Sequence, residues 1–322
     1  MNDLIFTVTA ADAGERLDRY LARQLPQFSR TAIQRAIDAG SVTVDAARSK
    51  AKLTVRAGQR IVCRPPAPAV VAHPPIAQPM SLDVLYEDAA LVVINKPAGL
   101  VVHPGAGRPH GTLVNALVAR YGALPVDGEV SRPGIVHRLD QGTSGVMVVA
   151  RTAAAHRHLV EQFATRVVRK TYIALCYGHV AAEGVIELPI GRHPTDRKRM
   201  STHARRGRSA CTRWRVRERF AEHATCVEID LATGRTHQIR VHFAAVGHPL
   251  LGDPVYGGTR SVTRLPKSWQ AYGRELDRPA LHAWRLQLVH PSTGQAMTWS
   301  APLPDDLEWL SRQLRGCVES TT

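Results

Sequence analysis

The chain has 322 residues, enough for one large domain and a small one, and 44% of them are apolar, enough for a buried core. Its 42 lysines and arginines against 27 acids give a formal charge of +15, which favours polyanionic partners, nucleic acid first; the alternative is a basic protein from an arginine-rich proteome. Five scattered cysteines without a C-x-x-C pair exclude a disulfide framework or zinc knuckle, and the lack of a basic-then-apolar leader or a membrane-length apolar run predicts a cytoplasmic protein.

In chain order, Leu17, Tyr20, Leu21 and Leu25 follow a helical spacing, with Arg16, Arg19 and Arg23 largely off that stripe. A second helix is expected from Ser29, a good N-cap, to Gly40, a good C′ residue. Strands fit Ser41–Val44, Lys52–Val55 and Arg60–Cys63, which completes a small module over residues 1–64. Residues 65–80 read as a semi-rigid linker, since the stretch from Arg64 to Met80 holds six prolines.

The large domain is expected over 81–316, with a tail at 317–322. Strands fit Leu82–Tyr86, Leu91–Asn95, Val146–Ala150, Thr171–Tyr177, Val185–Leu188, Cys211–Arg219, Thr225–Leu231, Leu281–Val289 and Ala296–Ser300. Helices fit Thr112–Tyr121, Ala153–Ala164 and Arg235–Ala245, and Pro304-Asp305-Asp306 opens a final one. Strands outnumber helices without regular alternation, which predicts an α+β fold with a mixed, mostly antiparallel central sheet rather than a doubly wound one. Residues 192–219 carry eleven lysines and arginines against Asp196 and Glu218. They read as a charged loop leading into a strand, either a solvated surface or an arm contacting phosphates; the basic chain favours the arm.

Four constellations carry chemistry-bearing residues. GIVHRLDQGTSGVMVVA (134–150) sets His137, Arg138 and Asp140 at the mouth of a buried strand; burying charge there is costly unless it is paired. RKTY (169–172) enters a strand, TGRTHQIRVH (233–242) follows a glycine turn, and GHPLLGDPVYG (247–257) follows that. Singly, each has an ordinary explanation. Asp140 can cap the turn at 142–144, Tyr172 can be core, and Arg235 can serve a helix start. His237, His242 and His248 lack a tight ligand pattern, so no metal is expected.

Together the motifs HRLDQGTSG, INKPAGLVVHPGAG (94–107), KTY (170–172), TGRTHQIRVH and HPLLGDPVYG (248–257) resemble, in order, those of the RluA/RluD-type pseudouridine synthases, over residues 82–303. RLDRYLARQLPQFSRTAIQRAIDAGSVTV (16–44) is similar to the small RNA-binding module named after ribosomal protein S-four, with Asp45-Ala46 in place of the usual Asn-Gly and Gly58-Gln59 in place of Gly-Asp. The resemblance implies a pseudouridine synthase fold and conversion of uridine to pseudouridine, without cofactor or metal. The implied substrate is large-subunit ribosomal RNA or its particle, at a subunit-interface stem-loop. It assigns Asp140 to the sugar's anomeric carbon, Arg235 to pairing with that carboxylate, and Tyr172 and Ile239 to the flipped base and its pocket wall. Arg138 is assigned to holding the extruded nucleotide. RNA contacts are expected from Arg16, Arg19, Arg30 and Arg35 in the module, and from Arg197, Lys198, Arg199, Arg205 and Arg206 in the basic loop. The alternatives are another ribosomal or transfer RNA site, or a non-catalytic RNA-binding or ribosome-assembly factor. A monomer is the default expectation.

Overall fold

The structure is a computed structural model that describes residues 3–25, 28, 30–64, 74–105, 108–126, 132–196, 199–204, 206–257, 263 and 265–319. It divides into two compact units, residues 1–73 and 74–322.

The first unit has four strands, β1 (Leu4–Thr7), β2 (Val42–Val44), β3 (Ala47–Arg48) and β4 (Arg60–Cys63), in the antiparallel order β1-β4-β2-β3. Helices α1 (Leu17–Gln24) and α2 (Arg30–Asp38) contribute Leu17, Tyr20, Leu21, Ile33, Ala36 and Ile37 to the core. They pack with Val42, Val44, Ile61 and Cys63 of the sheet. The expected cap Ser29 lies outside the described residues, while Gly40, with φ +78°, follows α2 as expected. Residues 52–55 do not form a strand; only Thr54 pairs, with Arg16. The β2–β3 turn shows why Asn-Gly is the commoner pair there. Asp45 and Ala46 both take positive φ, 48° and 63°, which a two-residue hairpin of this kind requires. Asp45 offsets the strain by accepting the Arg60 amide at 2.9 Å and the Gln59 side-chain amide at 2.9 Å.

The second unit is built on a nine-stranded mixed sheet. Its strands are β5 (Asp83–Glu87), β6 (Leu91–Lys96), β7 (Ser144–Ala150), β8 (Arg169–Tyr177), β9 (Glu183–Ile186), β12 (Thr212–Phe220), β13 (Ala224–Leu231), β14 (Leu281–Val289) and β15 (Ala296–Ser300). A separate two-residue hairpin, β10 (Gly191–Arg192) and β11 (Met200–Ser201), lies in the basic segment. The sheet order is β5-β6-β7-β14-β8-β13-β12-β9, with β15 beside β14, and among the described strands of this sheet β7 and β14 form the one parallel pair.

Alternation along the strands separates two apolar layers. In β7, Met147 and Val149 join one cluster, while Val146, Val148 and Ala150 join the other. The first layer is covered by Leu113 and Leu117 of α3 (Leu113–Tyr121) and by Ile239 and Phe243 of α5 (Gln238–Ala245). The second is covered by Ala155 and Leu159 of α4 (Ala153–Ala164). A further cluster gathers Trp269 of α6 (Lys267–Glu275), which the sequence reading missed, with Leu307, Leu310 and Leu314 of α7 (Asp305–Glu319).

Two expected boundaries shift. The stretch 65–73 of the proposed linker lies outside the described residues. Residues 76–78 are tied to α3, where the Asn115 side-chain amide donates to the Ile76 carbonyl at 2.8 Å and the Gln78 amide donates to the Asn115 carbonyl at 3.0 Å. At the other end α7 runs past 316, and Cys317 packs against the last cluster; residues 320–322 lie outside the described part.

Candidate active site

Asp140 stands in the turn that leads into β7, and the Thr143 amide donates to its carbonyl at 3.1 Å. Two glycines allow this approach. A Cβ on Gly145 (φ +116°) would lie 2.2 Å from the Ala283 carbonyl oxygen of the parallel neighbour β14. One on Gly142 would lie 2.9 Å from the Pro279 ring. Two buried basic side chains then hold the carbonyls just after Asp140. Lys96 Nζ donates to Gln141 at 3.3 Å, and also to Pro97 at 2.8 Å and Leu100 at 2.9 Å. Arg278 donates to Gly142 at 3.2 Å while gripping Asp306 of α7 through two 2.6 Å bonds. Burial lowers the Lys96 pKa to about 7, against the pull of the Asp140 charge.

The other two polar residues of the opening motif have separate duties. His137 stacks on Phe163 with ring centroids 4.6 Å apart, and its Nε2 accepts the Val148 amide at 3.0 Å. Burial drives its pKa down to about 3, so it is a neutral structural imidazole. Arg138 is exposed and makes no ion pair among the described residues.

Asp140 opens into a cavity of about 120 Å³ that Arg138, Tyr172, Arg235, His237, Ile239 and Arg240 also line. A larger groove of about 780 Å³ shares Arg138, Asp140, His237 and Arg240 with it. Tyr172, on β8, is buried, and burial together with the Asp140 charge pushes its phenol pKa well above the ordinary value. It is a protonated phenol at neutral pH. Ile239, on α5, is 3% exposed and forms an apolar wall.

The expected partner of Asp140 is corrected by the geometry. Arg240 Nη1 lies 3.4 Å from Asp140 Oδ2, whereas Arg235 turns away and its Nε donates to the Ser209 carbonyl at 3.1 Å. The reason is where the helix begins. Gln238 locks the preceding turn: its Oε1 accepts the Arg235 amide at 3.0 Å and the Thr233 hydroxyl at 2.8 Å, while its Nε2 donates to the Cys211 carbonyl at 2.9 Å. Arg235 therefore precedes α5, and Arg240 is the arginine that α5 aims inward. His237, with φ +57°, brings its Nε2 to 3.9 Å from Asp140. Burial lowers its pKa and Asp140 only partly opposes that, so it is a weak counter-ion.

Arg240 is itself anchored. Its Nε and Nη2 donate to Asp253 at 2.7 and 2.9 Å, and its guanidinium lies 5.1 Å from the Tyr256 ring centroid. The Tyr256 hydroxyl accepts the Met200 amide at 2.8 Å and lies 2.9 Å from His237 Nδ1. Asp253 and Tyr256, which have no expected role from sequence, both lie in GHPLLGDPVYG, where the carboxylate of GDPVYG is the signal that points to them. The three histidines weighed as ligands diverge, since His242 bonds Thr212 and Leu188, and His248 meets the Tyr177 carbonyl.

The expected RNA contacts are only partly free. Arg16 and Arg30 are spent on Asp18, at 3.0 and 2.7 Å. Arg19 is exposed, and the side chain of Arg35 lies outside the described residues. In the basic segment, Arg197, Lys198 and Arg205 lie outside the described residues, Arg206 is exposed, and Arg199 sits over the Tyr256 ring at 5.4 Å. Among the described residues, the segment is largely loop leading into β12, as expected, interrupted by the short β10–β11 hairpin. Among the described residues, no helix is long and apolar enough to cross a membrane.

Comparison with known proteins places the chain among known families. Residues 90–245 match the model of the RNA pseudouridylate synthase family, and residues 15–61 match that of the S4 domain. The chain is 44% identical over 321 residues to ribosomal large subunit pseudouridine synthase D of Nitrosomonas europaea, covering 99% of this chain and 90% of that protein. It is 42% identical over 318 residues to the protein of the same name from Escherichia coli K12, covering 98% and 95%. Among solved structures, human RNA pseudouridylate synthase domain containing 4 aligns with a TM-score of 0.54 at 29% identity, over 72% of this chain and 93% of that one.

Proposed function

The chain belongs to the RNA pseudouridine synthase family, and from that premise we propose that it isomerises uridine to pseudouridine in large-subunit ribosomal RNA, with Asp140 as the carboxylate acting at the ribose anomeric carbon. The reaction breaks the bond from uracil nitrogen to that carbon, rejoins the sugar at ring carbon five, and releases a proton from there. The observation that carries the reading is Asp140 in a cavity with Tyr172 and Ile239, facing one shared cation.

Each residue answers a demand of that chemistry. The carboxylate must stay ionised while partly desolvated, and Arg240 supplies the charge that permits it. Its single 3.4 Å contact leaves the other carboxylate oxygen free to approach the sugar. Tyr172 offers a ring against the flipped uracil, bounded by Ile239. Because its phenol is protonated, it orients the base and relays a proton rather than starting as a phenolate. Arg138, exposed at the rim of both cavities, meets the extruded nucleotide or the space it vacates. The first unit and the basic hairpin add phosphate contacts and recognise the RNA by shape. The substrate is a stem-loop of ribosomal RNA, free or within the subunit, reached in the cytoplasm.

The test uses a large-subunit ribosomal RNA transcript labelled with tritium at uridine carbon five. The wild type should release tritium and Asp140→Ala should not. Equal release from both would overturn the role of Asp140. RNA binding without release on any candidate RNA would make the protein an assembly factor instead.

A further inference from the structure

Arg240 is shared by two carboxylates, and the shares are unequal. Asp253 takes the Nε–Nη2 edge with bonds of 2.7 and 2.9 Å, while Asp140 receives only Nη1 at 3.4 Å. A planar guanidinium can grip a carboxylate through two parallel bonds, and that fork is committed to Asp253. Asp253 is fixed from the other side as well: its Oδ1 accepts the amides of Val255 at 2.9 Å and Tyr256 at 3.1 Å, and its side chain is fully buried. Its loop is closely packed: Gly252 (φ +68°) lies so near the neighbouring backbone that a Cβ there would come within 2.3 Å of the Arg278 carbonyl oxygen. The Tyr256 ring backs the guanidinium.

We infer that Asp253 is a positioning residue for the isomerisation: by occupying the fork of Arg240, it keeps Asp140 next to a cation without letting that cation clamp it. The inference rests on the assignment of Asp140 as the reacting carboxylate. A carboxylate held by two short charge-assisted bonds must give one up before its oxygen can move to the anomeric carbon. Stabilising it in the ground state alone raises the barrier. With Asp253 in place, the positive charge is partly compensated and the Asp140 contact stays long. Without it, Arg240 is a buried cation whose nearest anion is Asp140. The other groups facing Asp140 leave this balance to Arg240. His237 stands at 3.9 Å with its charge disfavoured by burial, Lys96 feels the Asp140 charge while bonding the Gln141 carbonyl, and Arg138, Arg235 and Tyr172 line the cavity.

The experiment compares the full-length wild type with Asp253→Asn and Asp253→Glu by tritium release across pH. For Asp253→Asn, kcat should fall at least tenfold with KM within twofold, and the acid limb of the kcat profile should move to lower pH by about one unit. Asp253→Glu keeps the charge and should leave the limb near its wild-type position. Melting temperatures of Asp253→Asn, Asp140→Asn and the double variant provide a readout independent of activity. If the two carboxylates share Arg240, the double variant should lose more than the sum of the single losses, because either carboxylate can partly replace the other. An unmoved acid limb with additive melting losses would overturn the inference. So would a limb that moves identically in the Asn and Glu variants. If Asp140→Ala itself keeps activity, the assignment of Asp140 fails first, and that result is distinct from either outcome at Asp253.

Discussion

Asp18 in the first unit and Asp140 in the second both face arginine, and they are held very differently. The Asp18 side chain is wholly buried and receives both Arg16 and Arg30, with Gln34 donating at 2.6 Å. The Asp140 side chain is 20% exposed and its nearest cation stands at 3.4 Å, already committed to Asp253. A carboxylate that holds a fold together has its acceptor sites filled; one that must meet a substrate keeps an oxygen open. Arg30 of α2 joins the two helices through Asp18 of α1, and Arg16, just before α1, bonds the same carboxylate.

The largest expected effect is on the filled carboxylate. Asp18→Asn should destabilise the first unit by about 2–3 kcal/mol, below the usual cost of breaking a buried pair because both arginines remain half exposed to water. Faster hydrogen exchange in α1 and α2, with unchanged exchange in β7 and β8, would show it. Although burial opposes it, the bonds from Arg16, Arg30 and Gln34 hold the Asp18 pKa below the usual range. Its contribution is therefore complete above the unfolded-state value of about 4 and is lost as pH falls below it.

The second effect separates the loop of Asp140 from that of Asp18 by pH. Lys96 has its pKa lowered to about 7 by burial. Above pH 7 the unfolded chain binds more protons at this lysine than the folded one, so its share of stability rises with pH up to the unfolded value. Between pH 7 and pH 10 the wild type should gain stability relative to Lys96→Met, as measured by denaturant midpoints. Parallel curves would place the lysine's proton equilibrium outside this account. The smallest effect concerns an arginine that neither carboxylate uses. Arg19→Gln should reduce the salt dependence of RNA binding by about 0.7 in slope and leave kcat alone. Arg30→Gln should add a loss of stability that Arg19→Gln lacks.

Much of this arrangement is legible in the sequence because it is local. Strand alternation and helix stripes give β4, β14, β15 and α4 their observed limits, and the buried run after Gly145 reads directly as β7. What escapes depends on contacts between distant segments. Nothing near Arg235 or Arg240 tells which will meet a carboxylate 95 or 100 residues earlier in the chain. Gln238, by bonding Thr233 and Cys211, moves the helix start and so chooses Arg240. The role of His137 was equally hidden, since its partners Val148 and Phe163 lie on other elements. Strand β1 and helix α6 went unread because short or weakly patterned segments gain their structure from the partner they pack on.

The most direct test of the account is to measure Asp140→Asn and Asp18→Asn side by side, each for tritium release from labelled ribosomal RNA and for hydrogen exchange of the first unit. The account predicts that Asp140→Asn releases no tritium while exchange in α1 and α2 matches the wild type, and that Asp18→Asn shows faster exchange while retaining the wild-type kcat. Tritium release by Asp140→Asn at the wild-type rate would contradict it.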